Sequence, residues 1–189
     1  MITIRPATRH DAIDLRALIV GYTVDSAYTV SRTASAKRIG FELRLTPLPE
    51  PFVKRFPSLD AETRRHYTDL IGAGHVFGAF LGAHCGGIAI CEPRPWNSSL
   101  QVHELHVEPA GQRQHTGSHL IDAVVAYARK AGLRSIICET QNTNVGAIRF
   151  YRRMGFVLDG LDVGLYADGG AAASEAAIFM RRYLNDVTV

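Results

Sequence analysis

The stretch HELHVEPAGQRQHTGS, residues 103–118, decides the fold. Its opening residues alternate apolar and polar as a half-buried strand does, Pro109 stops the strand, and a short polar loop follows. From 116 to 131 the apolar residues Leu120, Ile121, Val124, Val125, Tyr127 and Ala128 recur at helical spacing, and Gly132 ends the run. A strand, a tight loop and a helix in that order leave the first N–H groups of the helix without intrahelical partners. Those groups carry the positive end of the helix dipole and can hold a diphosphate. Gly117 would let the backbone approach phosphate oxygens, and Arg113 adds charge. An ordinary strand-to-helix connection fits this segment alone equally well. If Leu105 and Val107 face the core, strict alternation turns Glu104 and His106 to the other side of the strand. The same alternation sets His103 and His106 on opposite faces.

Working outward, residues 2–5 read as a strand stopped by Pro6, and 11–20 as a helix with Ile13, Leu15, Ala17, Leu18 and Ile19 on its apolar face. Pro47, Pro49, Pro51 and Pro57 make 21–57 read as an irregular surface excursion, of the kind that serves as a functional loop or lid. A helix is expected from 58–62 to about 71, ended by Gly72 and Gly74. The apolar runs 75–81 and 85–92 read as a hairpin, and 100–107 as a further strand. Beyond the long helix come a strand at 135–140 and a helix at 144–154 with Gly155 as its breaker. Strands at 156–166 and 175–183 follow, around a Gly/Ala-rich turn at 167–173. The order predicts an α/β (α+β) fold: a mixed, mostly antiparallel sheet of about seven strands with one parallel crossover, flanked by helices.

Composition narrows the function classes. With 189 residues, 47% hydrophobic and 21% charged, the chain suits one globular domain spanning 1–189. Its net charge of +3 is dispersed without runs of like sign, which gives nucleic-acid binding little support. Cys85, Cys91 and Cys138 form no CxxC pair and read as buried reduced thiols of a cytoplasmic protein. Residues 1–15 have no apolar signal core, and no apolar stretch reaches membrane-spanning length. His103/His106 and His115/His119 have suggestive spacings, but no cysteine or carboxylate completes either set, so no metal site is expected. No Gly-Lys-Ser/Thr element of a P-loop occurs.

Residues 112–117, Gln-Arg-Gln-His-Thr-Gly, resemble the Gln/Arg-x-x-Gly-x-Gly/Ala loop of the GCN5-related N-acetyltransferase (GNAT) superfamily, with His115 in place of the first glycine. The stretch ETQNTNVGAIRFYRRMGF at 139–156 is similar to the superfamily's Asn-x-x-Ala-x-x-Phe-Tyr-x-x-x-Gly-Phe segment. The likeness covers roughly 75–183, extends loosely to 2–20, and its wording looks most like streptothricin acetyltransferases.

That resemblance implies a GNAT-like acyl-CoA N-acyltransferase fold, with acetyl-CoA as cosubstrate bound by the core at about 75–183. It implies coenzyme contacts from His106, Val107, Gln112, Arg113, Gln114, His115, Thr116, Gly117, Ser118, Asn144 and Tyr151. The variable segment at about 21–72 would serve the acceptor. In the superfamily the thioester lies where two parallel strands part, which would put a backbone N–H near Val107 on the acetyl oxygen. A primary ammonium is under about 0.1% neutral at pH 7, so a base is useful. Glu104 is the first candidate and Glu139 the second, while Tyr151 suits protonation of the departing thiolate. Asn144 would support the pantetheine arm or simply cap its helix. The implied reaction is direct acetyl transfer to an amine of a small molecule, with a streptothricin-like antibiotic as the sharpest candidate. Glu42, Glu104, Asp162 and Glu175 would attract a cationic acceptor. Protein or peptide N-acetylation, and a non-catalytic acyl-CoA-binding module, are the alternatives. No nucleic-acid or membrane partner is implied, and the final strand is a candidate interface for a homodimer.

Overall fold

The computed structural model describes residues 2–112, 114–166 and 175–185. Four helices occur among them: α1 (Leu15–Leu18), α2 (Ala61–Gly72), α3 (Thr116–Lys130) and α4 (Val145–Arg153). The strands are β1 (Thr3–Pro6), β2 (Gly21–Ser35), β3 (Arg38–Arg55), β4 (Val76–Leu81), β5 (His84–Arg94), β6 (Ser99–Val107), β7 (Ser135–Gln141), β8 (Val157–Asp162) and β9 (Ala177–Tyr183). Seven of them hydrogen-bond in the order β1-β4-β5-β6-β7-β9-β8, and β2 and β3 form a separate two-stranded sheet. The pairs β1–β4, β4–β5 and β5–β6 are antiparallel, and β6–β7 is parallel. The expected seven-stranded mixed sheet is therefore observed. The last strand, β9, lies between β7 and β8 and is an interior strand of the sheet.

The chain divides into two compact units. The first comprises Met1–Val20, Phe56–Cys138 and Arg181–Val189. One side of its strands carries α3, whose Leu120, Ile121, Val124 and Ala128 are fully buried. Leu120, Ile121 and Val124 each contribute about 1.5–3 kcal/mol of transfer free energy. The other side carries α1 and α2, with Leu18, Tyr67 and Leu70 packed on Val76, Phe80, Ile88 and Ile90. Asp60 starts α2 by accepting a hydrogen bond from the Thr63 N–H at 2.7 Å. The helix expected at 11–20 shrinks to the four residues of α1. Asp11 is held instead by Arg5, at 2.6 and 2.9 Å, and by the Thr8 N–H, so 8–11 closes into a turn. Asp14 then caps the single helical turn.

The second unit comprises Gly21–Arg55 and Glu139–Met180. Its largest feature corrects the sequence reading: 21–55 is a long β2–β3 hairpin, not an irregular excursion. Three of the prolines that suggested irregularity, Pro47, Pro49 and Pro51, sit where the ladder breaks, and Pro57 lies beyond the end of β3. Val24 pairs with Phe52 and Ser26 with Pro47, so residues 48–51 bulge opposite Asp25. Pro49 and Pro51 occupy positions that owe no ladder N–H. Helix α4 packs on β2, and Val24, Ala27, Val145, Ile148 and Phe156 are buried. Asn142 is a buried clamp: its Nδ2 donates to the Tyr28 carbonyl, and its Oδ1 accepts from the Ala176 N–H, both at 2.9 Å. β8 and β9 are shorter than expected, and the turn predicted at 167–173 lies outside the described residues.

All three cysteines are buried thiols, and none is in a disulfide. Among the described residues no helix is long and apolar enough to cross a membrane.

Candidate active site

The site in the first unit is built on an irregularity in β6. Cys91 pairs with Val102 and Ile90 with Glu104, which leaves His103 as an extra residue between them. Such a bulge resets side-chain alternation. Directly paired residues share a face, so Glu104 lies with Ile90, hence with Glu92, its partner Gln101, and His103. His103, Glu104 and His106 thus point the same way, and the expected separation of His103 from His106 is corrected.

This face is the one that α2 covers. The Tyr67 hydroxyl of α2 donates to Glu104 Oε1 at 2.9 Å, and Glu104 Oε2 shares a proton position with His106 Nε2 at 2.7 Å. Only 18% of the Glu104 side chain and 17% of His106 are exposed. The Phe56 ring stands edge-on to His106, with centroids 5.7 Å apart. Burial first, then the charge and hydrogen bond of Glu104, pushes the Tyr67 phenol above its ordinary value, so it remains a donor. Glu104 is thereby a half-enclosed carboxylate fixed on both oxygens. On the same face His103 Nε2 lies 2.7 Å from Glu92 Oε2, and His66 Nε2 lies 3.5 Å from the same oxygen.

The loop after β6 and the start of α3 take the form read from the sequence. His115 is the N-cap of α3 with φ +62°, the left-handed region that favours glycine, and its side chain makes no capping bond. The residue at the motif's glycine position therefore holds a glycine-like backbone. The first intrahelical bond of the helix runs from the His119 N–H to the His115 carbonyl, at 3.0 Å, so the N–H groups of Thr116, Gly117 and Ser118 precede the ladder. Thr116 Oγ1 is buried with no hydrogen-bond partner among the described residues. An uncapped helix start with an orphaned hydroxyl fits a diphosphate-bearing ligand such as acetyl-CoA. Gln112 and Gln114 spend their amides locally, donating to the Val107 and Ala110 carbonyls at 3.0 and 2.8 Å. Arg113 lies outside the described residues. The parallel ladder with β7 ends at Val102↔Cys138, and β6 runs on for five residues to Val107.

In the second unit Glu139 accepts a hydrogen bond from the Tyr166 hydroxyl, to which Gln141 Nε2 donates at 2.9 Å. The Tyr22 hydroxyl lies 2.8 Å from Thr143 Oγ1, which donates to Glu175 at 3.1 Å, and Lys54 pairs with Glu175. Burial is the main cause that raises Tyr22 to about 12, and it raises Tyr166 as well, reinforced there by Glu139. Asn144 caps α4 by accepting from the Ala147 N–H at 3.1 Å. Tyr151 is buried between Phe150 and Phe156, with ring centroids 5.5 and 5.2 Å away. Glu42 is an exposed hairpin residue paired with Arg44, and Asp162 accepts from the Gly164 N–H. A cavity of about 440 Å³ is lined by Tyr28, Val30, Phe41, Val163 and others, but by none of the candidate catalytic residues. Sequence reasoning missed Tyr67, Tyr22 and Tyr166. Tyr22 was hidden in the misread hairpin, and Tyr67 on the core side of its helix.

The fold, the helix-start loop and the enclosed carboxylate define an acyltransferase of the Acetyltransferase (GNAT) family, whose sequence model matches residues 41–156. The chain belongs to that family and is an acetyl-CoA-dependent N-acetyltransferase. It is 32% identical over 181 residues to streptothricin acetyltransferase of Streptomyces lavendulae, covering 93% of this chain and 92% of that protein. The crystal structure of nourseothricin acetyltransferase superposes with a TM-score of 0.77 at 30% identity, over 97% of this chain and 99% of that one. A Bacillus anthracis str. Ames protein solved in complex with acetyl coenzyme A has the same fold, with a TM-score of 0.78 at 21% identity and 98% of each chain covered.

Proposed function

We propose that this enzyme acetylates an amine of a small cationic molecule of the streptothricin type, with Glu104 as the base. The observation that carries the chemistry is the carboxylate of Glu104, fixed between Tyr67 and His106 and largely screened from water. The acceptor class is supported by the match to streptothricin acetyltransferase along 93% of the chain. Acetyl-CoA supplies an activated thioester. The chain's own residues do the rest of the work. The N–H groups opening α3, with Gly117 and Ser118, hold the diphosphate. Glu104 takes the ammonium proton, directly or through water, and the Val107 N–H steadies the acetyl oxygen. Tyr151 gives a proton to the leaving thiolate. Glu139, bonded to the Tyr166 hydroxyl, offers negative charge to a cationic acceptor, while Glu175, already paired with Lys54, accepts from Thr143. In this reading the protein is one catalytic domain and works in the cytoplasm, where its three buried thiols would stay reduced. It acts as a homodimer, for which the exposed Ile39, Phe41 and Leu45 on one hairpin face speak.

The test is thiol release from acetyl-CoA with streptothricin, simple primary amines and lysine-bearing or N-terminal peptides as acceptors. Release with streptothricin is expected, together with an acetylated amine by mass spectrometry. Glu104→Gln should lower kcat/KM roughly a hundredfold or more while acetyl-CoA binding persists, and Tyr151→Phe should lower kcat. Release with peptides alone would replace the acceptor assignment. Coenzyme binding without release for any amine would mean a non-catalytic module.

A further inference from the structure

Beyond the acyl-transfer chemistry, the first unit brings together three side chains that the sequence keeps far apart: His66 on α2, Glu92 on β5, and His103 at the bulge of β6. One donor atom from each lies within 4.8 Å of the other two. The His103–Glu92 separation is 2.7 Å and the His66–Glu92 separation 3.5 Å. Metal–ligand bonds of about 2.0–2.1 Å in tetrahedral geometry place neighbouring donors about 3.3 Å apart, a value these distances bracket. The third pair, His66 and His103, has its donors within 4.8 Å, so a closure of at most about 1.5 Å between these two would bring the three onto one ion. The His66 and His103 rings stand nearly perpendicular, at 88° with centroids 5.8 Å apart, so they do not stack.

We propose that His66, Glu92 and His103 form a binding site for a divalent cation of the zinc class. Two imidazoles and one carboxylate are the donor set that zinc and its neighbours take in open sites with three protein ligands. Magnesium and calcium call for oxygen ligands instead. Two of the three ligands stand on paired strands and the third on a helix packed against them, so the cluster is pre-organised. The side chains are 42%, 35% and 24% exposed for His66, Glu92 and His103, which leaves an open side for solvent as a further ligand. The site adjoins the proposed base: the Tyr67 ring, whose hydroxyl donates to Glu104, lies 6.2 Å from the His103 ring. An ion there would tie α2 to the β5–β6 pair beside Glu104.

The full chain, stripped with EDTA, should retain a single equivalent of zinc after equilibrium dialysis against zinc chloride, and should not retain magnesium. His66→Ala and Glu92→Gln should each weaken zinc retention by roughly a hundredfold. Both positions are partly exposed, so folded variants are expected, with circular dichroism as the check. A double His115→Ala/His119→Ala variant should keep its zinc, because that pair sits at the start of α3, on the other side of the strands from α2. Zinc should also raise the melting temperature of the unaltered chain, and this rise should vanish in Glu92→Gln. Failure of the unaltered chain to retain zinc would overturn the site. So would retention that survives both cluster substitutions or that disappears with the His115/His119 pair. None of these readouts involves turnover, so the metal site and the acceptor assignment stand or fall separately.

Discussion

At His115 a single residue carries a cost that the loop around it sustains. Left-handed backbone costs a side-chain-bearing residue about 1–2 kcal/mol, less for histidine than for branched residues and little for glycine. His115 adopts φ +62° without a capping bond to offset that cost. Glycine there gains freedom in the unfolded chain, which returns part of the benefit. His115→Gly is therefore expected to stabilise the protein by about 0.5–1 kcal/mol, read as a rise of roughly 2 °C in melting temperature. His115→Ala keeps the strain and should show no such rise. Equal melting points for the glycine and alanine variants would remove the strain argument.

Among the elements, the β2–β3 hairpin depends on partners outside itself. Two-stranded sheets are marginal in water, and this one is fastened within its unit by Asn142. The Asn142 side chain meets the Tyr28 carbonyl and the Ala176 N–H while almost fully buried. Asn142→Ala removes both bonds and leaves two backbone groups without the partners they have in the native protein. The expected loss is about 3 kcal/mol in urea denaturation, at 1–3 kcal/mol for each buried group left unpaired. A loss below about 1 kcal/mol would show that water or a shift of the backbone replaces the clamp.

Across the whole molecule, pH acts at both ends through groups whose ionisation the fold resists or favours. Tyr22 is raised to about 12, chiefly by burial, and Tyr67 and Tyr166 are raised in the same sense. A raised folded value means stability that is complete below about pH 10 and is lost as pH climbs towards the folded value. Urea midpoints should therefore fall between about pH 10 and 12, and Tyr22→Phe should flatten part of that fall. An identical alkaline slope in the variant would exclude Tyr22 as a contributor. On the acid side Asp11 is held down first by its hydrogen bond from Arg5, and Asp60 by the Thr63 N–H. Burial alone would raise Glu92, but the hydrogen bond and charge of His103, with His66 and Arg94, bring it below the usual carboxylate value. These three contribute stability that is present above the ordinary carboxylate range and is lost as pH falls below it.

Local patterning was enough to read the strands and helices of the seven-stranded sheet, the parallel β6–β7 crossover and the loop that opens α3, and together with the family resemblance it raised the candidates Glu104, Glu139 and Tyr151. Each of these rests on periodicity or on motif spacing within a few residues. The hairpin was not readable, because prolines that interrupt alternation look the same in a loop as in a bulged ladder; only the pairing of Val24 with Phe52 and Ser26 with Pro47 tells them apart. The polar face around Glu104 was half readable. Alternation found Glu104 and His106, but one extra residue in β6 turned His103 to join them. Tyr67 reaches Glu104 from 37 positions away, and Tyr22 reaches Thr143 from 121. Where the apolar period is unbroken, element type follows from the near neighbours of a residue along the chain, and there the sequence alone determined it. Register shifts and contacts between distant side chains depend on how the strands pair and the helices pack, and those only the tertiary structure decided.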